Sequence, residues 1–246
     1  MRRAFVAAAL ALACLSGCRV GVTVGIDSQA DGSGRVRALV TLDADAARRV
    51  PDLADQLEVD DLRAAGWEVE GPRPRAEGGV EVEAVRRFRS PQEATQAVEE
   101  LSGPNGPFRD FHLRRSRSFF KTRTAVEGTV DLKAGLEAFS DDALRQRLGG
   151  SALGFDPADL ERQVGTPLAD IFDIRVAARL PGDVEASNAP QQAGSRVEWR
   201  AALGEEVRLT ATAEQWNARN LVPAALALVT GVAAVLLTVR RLRHRR

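Results

Sequence analysis

The chain has 246 residues, 34 of them basic and 34 acidic, with two cysteines, two histidines and no tyrosine. Both cysteines fall within the first eighteen positions, so everything after them has no disulfide, no free thiol and no cysteine-based metal site. Setting aside two arginines at the start and five at the end leaves 27 basic against 34 acidic residues, an acidic balance that speaks against nucleic acid as a partner.

Arg2 and Arg3 precede "AFVAAALALACL", an apolar run too short to span a bilayer comfortably. Leu15-Ser16-Gly17-Cys18 follows, and small residues before a cysteine at this place resemble the bacterial lipobox. The resemblance implies a leader over residues 1–17, cleavage after Gly17 and a diacylglyceryl group on Cys18. Cys14 leaves with the leader.

Val20, Val22, Val24 and Ile26 alternate with small or polar residues, as do Val36, Ala38, Val40 and Leu42, and "ADGSG" between them is a turn signal. The pattern predicts a hairpin with one apolar face. "VPDLADQLEVDDLRAAG" reads as helix, with Leu53, Leu57 and Leu62 near one face and Gly66 as its stop. Trp67 and Val69 suggest a short strand, "RPRAEGG" a loop, and Val80 to Phe88 another strand. Ser90, Pro91 and Glu93 form a capping box ahead of an Ala94, Ala97, Val98, Leu101 stripe, which predicts a helix ended by "SGPNGP".

Phe108 to Asp131 reads as two strands, carried by Thr122, Thr124, Val126 and Val130. From Lys133 to Phe172 the pattern turns helical and irregular, with Asp156-Pro157 and Thr166-Pro167 as helix starts. Strands return at Ile174 to Leu180, Arg196 to Leu203 and Glu206 to Ala213, the last two joined by "GEE". Leu221 to Val239 is uncharged and long enough to cover the hydrocarbon core of about 30 Å. Trp216 stands before it as an interfacial residue, and "RRLRHRR" after it predicts a cytoplasmic C-terminus.

These elements predict an α+β fold with a mainly antiparallel sheet, helices packed on one side, and one C-terminal transmembrane helix. The expected organisation is a leader (1–17), an extracytoplasmic domain (18–215) with a helical insertion at 133–172, an interfacial lead-in and transmembrane helix (216–239), and a basic cytoplasmic tail (240–246). The chain is expected at the cell membrane, with its domain on the extracytoplasmic side.

Leu180-Pro181-Gly182, Val184, Asn188, Gly194, Val197, Trp199 and Gly204, followed by an alternating strand, are similar to the C-terminal pattern of the LppM-type lipoprotein family of actinobacteria. The start at "SGC", the "DGSG" turn, "AAGWEVE" and "TRTAVEGTVDL" resemble the same family. The resemblance implies a membrane-anchored envelope module of mixed α/β structure in contact with lipid or glycolipid. It carries no catalytic residue across.

Catalytic chemistry has few candidates. His112 lies in an alternating strand, where a solvated position is expected, and His244 sits in the basic tail. Without cysteine or a second histidine in the domain, a zinc site is not expected. Gly149 to Gly154 lacks the Lys-Ser/Thr end of a phosphate loop. The Asp43/Asp45, Asp60/Asp61 and Asp141/Asp142 pairs suit helix starts and exposed faces. The expectation is therefore a non-enzyme without cofactor or metal.

One cluster stands apart. Arg109, Arg114, Arg115, Arg117, Lys121 and Arg123 interleave with Phe108, Phe111, Phe119 and Phe120. As a solvated sheet face, this cluster would carry its apolar partners underneath. As a functional surface, Arg114, Arg115, Arg117 and Arg123 would bind the headgroups of anionic lipid or glycolipid. Two other functions are kept: a scaffold docking another envelope protein, and a carboxylate-based hydrolase of envelope glycan.

Overall fold

The computed structural model describes residues 19–49, 60–76, 78–102, 106–139, 161–162, 165–217, 220 and 230–231. Eleven strands form two sheets among these residues. The first sheet contains β1 (Val20–Ser28), β2 (Gly34–Leu42), β3 (Glu68–Pro74), β4 (Val80–Phe88), β7 (Phe172–Arg179), β9 (Gln191–Ala193) and β10 (Arg196–Ala201). Its order is β3-β4-β2-β1-β7-β10-β9. The second sheet has the order β5-β6-β11-β8, from β5 (Phe108–Arg117), β6 (Lys121–Asp131), β8 (Asp183–Ser187) and β11 (Glu206–Trp216).

Alternation explains why these segments pair face to face. Val24 and Ile26 on β1, Val36 on β2, Ile174, Val176 and Ala178 on β7, and Val197 and Trp199 on β10 are buried. So are Phe111 and Leu113 on β5, Val126 and Val130 on β6, and Leu209, Ala211 and Ala213 on β11, and, Val24 apart, the two sets join in one cluster. Most residues between them in sequence are more exposed, the two-residue period of a half-buried strand, whereas central β7 also buries Ala177. Gly128 makes room within β6, because a Cβ there would lie 3.2 Å from Cδ2 of Phe111.

The short helices are α1 (Ala44–Arg49), α2 (Asp60–Ala64), α3 (Pro91–Ser102) and α4 (Leu168–Ile171), with a 3-10 turn at Gly135–Phe139. Helix α3 follows its sequence signature. Ser90 Oγ accepts the Glu93 N–H at 3.3 Å, Glu93 accepts the Arg89 N–H at 2.8 Å, and Ala94, Ala97 and Val98 are buried. Its Glu100 holds Arg86 of β4 and accepts from the Trp67 indole at 3.2 Å, fastening the helix to the first sheet.

The fold corrects the α+β expectation. Strands account for 55 % and helices for 20 % of the structure, which is mostly β-sheet rather than a single sheet with helices on one side. Strand alternation reveals a buried face without revealing the partner. Phe108–Asp131 pairs with β11 and β8 as a separate sheet, not as an extension of the first. The first sheet is also mixed, since β1 runs parallel to β7. In the expected 133–172 insertion, the described residues hold the 3-10 turn and α4. Helix α4 begins after Pro167, and its first N–H donates to Glu161 at 3.0 Å. Leu53 and Leu57, like residues 140–160, lie outside the described residues.

The expected C-terminal transmembrane helix is likewise unsupported: among the described residues no helix is long and apolar enough to cross a membrane. Leu221–Val239 lies outside the described residues except for Thr230 and Gly231. The signals for that helix were an uncharged stretch of sufficient length, Trp216 before it and the arginines after it, and none of them specifies what such a segment packs against.

The two ends of the domain differ. At one, Val20, Phe172 and Leu203 pack on Leu168 and Ile171. At the other, the β1–β2 turn meets β5 through Arg115, whose Nε donates to the Ala30 carbonyl at 3.0 Å. Strand β11 runs between these ends, and eleven residues of strand cover about 33 Å.

Candidate functional site

The β5–β6 hairpin turns at Ser118-Phe119-Phe120-Lys121 without glycine or proline. Ser118 closes it: its N–H and hydroxyl donate to the Lys121 carbonyl at 2.8 and 2.9 Å, and its Oγ accepts the Lys121 N–H at 3.0 Å. Phe119 and Phe120 are thereby placed at the apex, outside both strand faces. Their rings meet edge to face at 4.9 Å.

The chain leaving β11 braces this apex. The Asn217 N–H donates to the Phe120 carbonyl at 2.7 Å, and its Nδ2 donates to the Ser118 carbonyl at 2.9 Å. Its Oδ1 accepts the Thr122 hydroxyl at 2.8 Å. Asn220 Nδ2 reaches the Phe119 carbonyl at 2.7 Å. In the register of β6 with β11, Trp216 faces Lys121, whose ammonium stands 4.6 Å from the indole ring centroid.

The four arginines of the sequence cluster separate by strand parity. Arg114 points outward beside Glu127, 3.7 Å away, with both side chains largely in solvent. Arg115 faces the other way and docks on the β1–β2 turn. Arg117 is exposed at the end of β5, and its side chain makes no hydrogen bond or ion pair among the described residues. Arg123 is occupied: its Nε and Nη2 donate to Glu214 Oε1 at 2.9 and 2.6 Å, while Lys121 donates to Oε2 at 2.7 Å. These bonds from Lys121 and then Arg123 hold the Glu214 carboxyl below its ordinary value. Arg117, Lys121 and Arg123 therefore gather at the tip, Arg114 stands farther along the outward face, and Arg115 serves the turn.

His112 is exposed on the same outward face, opposite Glu127. No group of three potential metal-ligating side chains occurs among the described residues. Cys18 lies outside them, but Arg19 beside it is held, its N–H donating to Asp43 Oδ2 at 2.7 Å and its carbonyl accepting the Asp43 N–H at 3.0 Å.

One of the two sequence readings of this cluster puts the phenylalanines beneath a solvated sheet face. Phe111 is buried and Phe108 half-buried, but Phe119 and Phe120 are exposed. The available signal was the polar pair Ser118 and Lys121 bracketing them. Glu214, Asn217 and Asn220 went unnoticed, because their roles depend on pairing across more than ninety residues of sequence.

Together these features define a two-sheet, predominantly β domain with a basic, aromatic hairpin tip. The LppM domain family matches residues 19–215, and the chain belongs to that family. This bears out the resemblance carried by Leu180 to Gly204 and the "DGSG" turn. Among solved structures, the NMR structure of the folded domain of the Mycobacterium tuberculosis LppM protein is similar at 15 % identity and a TM-score of 0.46, covering 83 % of this chain and 94 % of that one. No curated protein gives a significant match.

Proposed function

We propose that the chain is a non-catalytic, membrane-anchored envelope lipoprotein whose domain contacts anionic lipid or glycolipid headgroups. The observation that carries this reading is the unequal engagement of its arginines. Arg123 is neutralised by Glu214 and Arg115 is spent on the β1–β2 turn, whereas Arg117 is unpaired among the described residues and Arg114 has only a solvent-exposed 3.7 Å ion pair with Glu127. A guanidinium offers two parallel donors to a phosphate or carboxylate, so these two are the headgroup contacts. The proposal thus narrows the four arginines to Arg114 and Arg117 for binding, with Arg115 and Arg123 positioning the strand ends.

Acylation at Cys18 belongs to the same proposal. Only Arg19 separates Cys18 from β1, and Arg19 is itself fixed by Asp43. An acyl group there holds the Val20 end of the domain within about 7 Å of the lipid surface, two residues of extended chain. The test is co-sedimentation of residues 19–217 with phosphatidylglycerol and phosphatidylcholine vesicles. The proposal expects binding to the first that falls as salt rises and weakens in R114Q/R117Q. Equal binding of wild type and R114Q/R117Q removes the headgroup assignment.

A further inference from the structure

We infer that the β5–β6 hairpin tip is a membrane-inserting wedge: the rings of Phe119, Phe120 and Trp216 enter the headgroup region of a bilayer, with Arg117 and Lys121 against the surrounding lipid phosphates. This deepens the membrane-facing reading above and rests on it, keeping Arg117 and adding Lys121 and the three rings to the contact.

The exposed large apolar residues among those described are Phe119, Phe120 and Trp216, at 59, 48 and 57 % of full exposure. Single exposed apolar side chains are ordinary on a soluble surface. Here all three collect at one corner, from segments brought together by the Trp216 and Lys121 pairing. Folding has exposed them by construction, since the Ser118-closed turn gives the two phenylalanines no strand face to turn under.

The carbonyls of the tip are prepared for loss of water. The carbonyls of Ser118, Phe119, Phe120 and Lys121 each accept a hydrogen bond from the protein, supplied by Asn217, Asn220, Asn217 and Ser118 in turn. A loop that stays in water has its carbonyls solvated without such help. One that enters lipid must satisfy them internally, because an orphaned carbonyl there costs several kcal/mol. The same bonds fix the wedge before it meets a membrane, so little ordering remains to oppose insertion.

Charge and chain path agree. Lys121 flanks the indole and Arg117 stands exposed, in a domain acidic overall, so the corner that presents apolar rings also presents cations suited to lipid phosphates. The chain leaving β11 stays at this corner as far as Asn220, which is tied to Phe119. Tryptophan is enriched at membrane–water interfaces, where its amphipathic ring sits at headgroup level.

The experiment moves the reporter to the hairpin. Trp67 and Trp199 are buried at 3 and 2 % exposure, so a full chain carrying F119W and W216F has its one exposed indole at the tip. It is reconstituted in phosphatidylglycerol–phosphatidylcholine vesicles containing a shallow spin-labelled lipid, beside W216F alone as background. E185W/W216F, with its indole on exposed β8, serves as the solvent control. Circular dichroism checks each fold, and F120W/W216F replaces the first variant if it fails to fold. The inference expects blue-shifted emission at 119, lost to the spin label and protected from iodide, with neither effect at 185. Equal quenching in phosphatidylcholine alone supports the wedge and removes the anionic headgroup reading instead. An indole at 119 that iodide reaches as readily as at 185 overturns the wedge. Protection from iodide without lipid quenching also overturns it, because the cover is then protein.

Discussion

Lys121 places its ammonium 4.6 Å from the centre of the Trp216 ring while donating to Glu214 at 2.7 Å. One carboxylate thus holds both Lys121 and Arg123 at the edge of the hairpin, and both interactions need Glu214 ionised. Its folded pKa lies below the ordinary 4.5, so its contribution to stability is fully present above that value and is lost as pH falls through the lowered one. The E214Q variant is expected to melt a few degrees below wild type at pH 7. The gap should close as acidification carries the pH through that lowered value, because the wild-type carboxyl then becomes neutral as well. Thermal melts of both proteins across this range check the sign.

Asn188 links the two sheets. Its Oδ1 accepts the indole N–H of buried Trp199 at 2.8 Å and the Thr210 N–H at 2.9 Å, and its Nδ2 donates to the Arg208 carbonyl at 2.8 Å. N188A leaves the indole donor without a partner in the core, which costs about 1–3 kcal/mol, with the β11 bonds lost in addition. The urea midpoint is expected to fall without a change in slope. N188D keeps the acceptor and should recover part of the loss.

Gly182 stands where the chain passes from the first sheet to the second. Its φ is +92°, and a Cβ there would sit 2.1 Å from the Glu214 carbonyl oxygen. That obstacle is backbone in β11 and has no rotamer to swing aside. G182A is expected to destabilise by about 2 kcal/mol or more, with faster amide exchange in β8 and at the end of β11. The exposed turn at Gly194, where nothing lies within 4 Å of a Cβ, should tolerate alanine better despite its φ of +59°.

The proposed anchor gives a further test. C18S is expected to abolish incorporation of labelled acyl donor and to leave the leader uncleaved on a gel. Acyl labelling that persists in C18S removes Cys18 as the anchor. Geometry adds a consequence: Val20 packs with Leu203 at the end of the domain opposite Trp216. One bilayer can therefore hold the lipid anchor and the aromatic tip together only when the strands run along its surface.

The strands themselves were legible wherever one face is buried. Val20 to Ile26 with Val36 to Leu42 folds around the expected turn, and the Ser90 capping box opens the expected helix. The residues of the family resemblance prove to be structural. Leu180, Val197 and Trp199 are buried, Gly182 makes the crossing, and Asn188 ties the sheets. Sheet membership was not legible, because a two-residue period is the same whichever strand lies alongside. Strands β8 and β9 were hidden in "RLPGDVEASNAPQQAGSR", where their mostly exposed residues leave no apolar alternation to read. Among the arginines, sequence displayed the cluster but not its counter-charges. Glu214 lies 91 residues from Arg123, and only the fold brings them together.

Mass spectrometry of lipids that co-purify with residues 19–217 from the native envelope reads out whether this domain holds anionic lipid through Arg114 and Arg117. Anionic phospholipid or glycolipid is expected to be enriched over the bulk membrane with the wild-type domain, and reduced in R114Q/R117Q that is folded by circular dichroism. Recovery of no lipid, or of the same lipids in the same amounts with both proteins, would contradict that assignment.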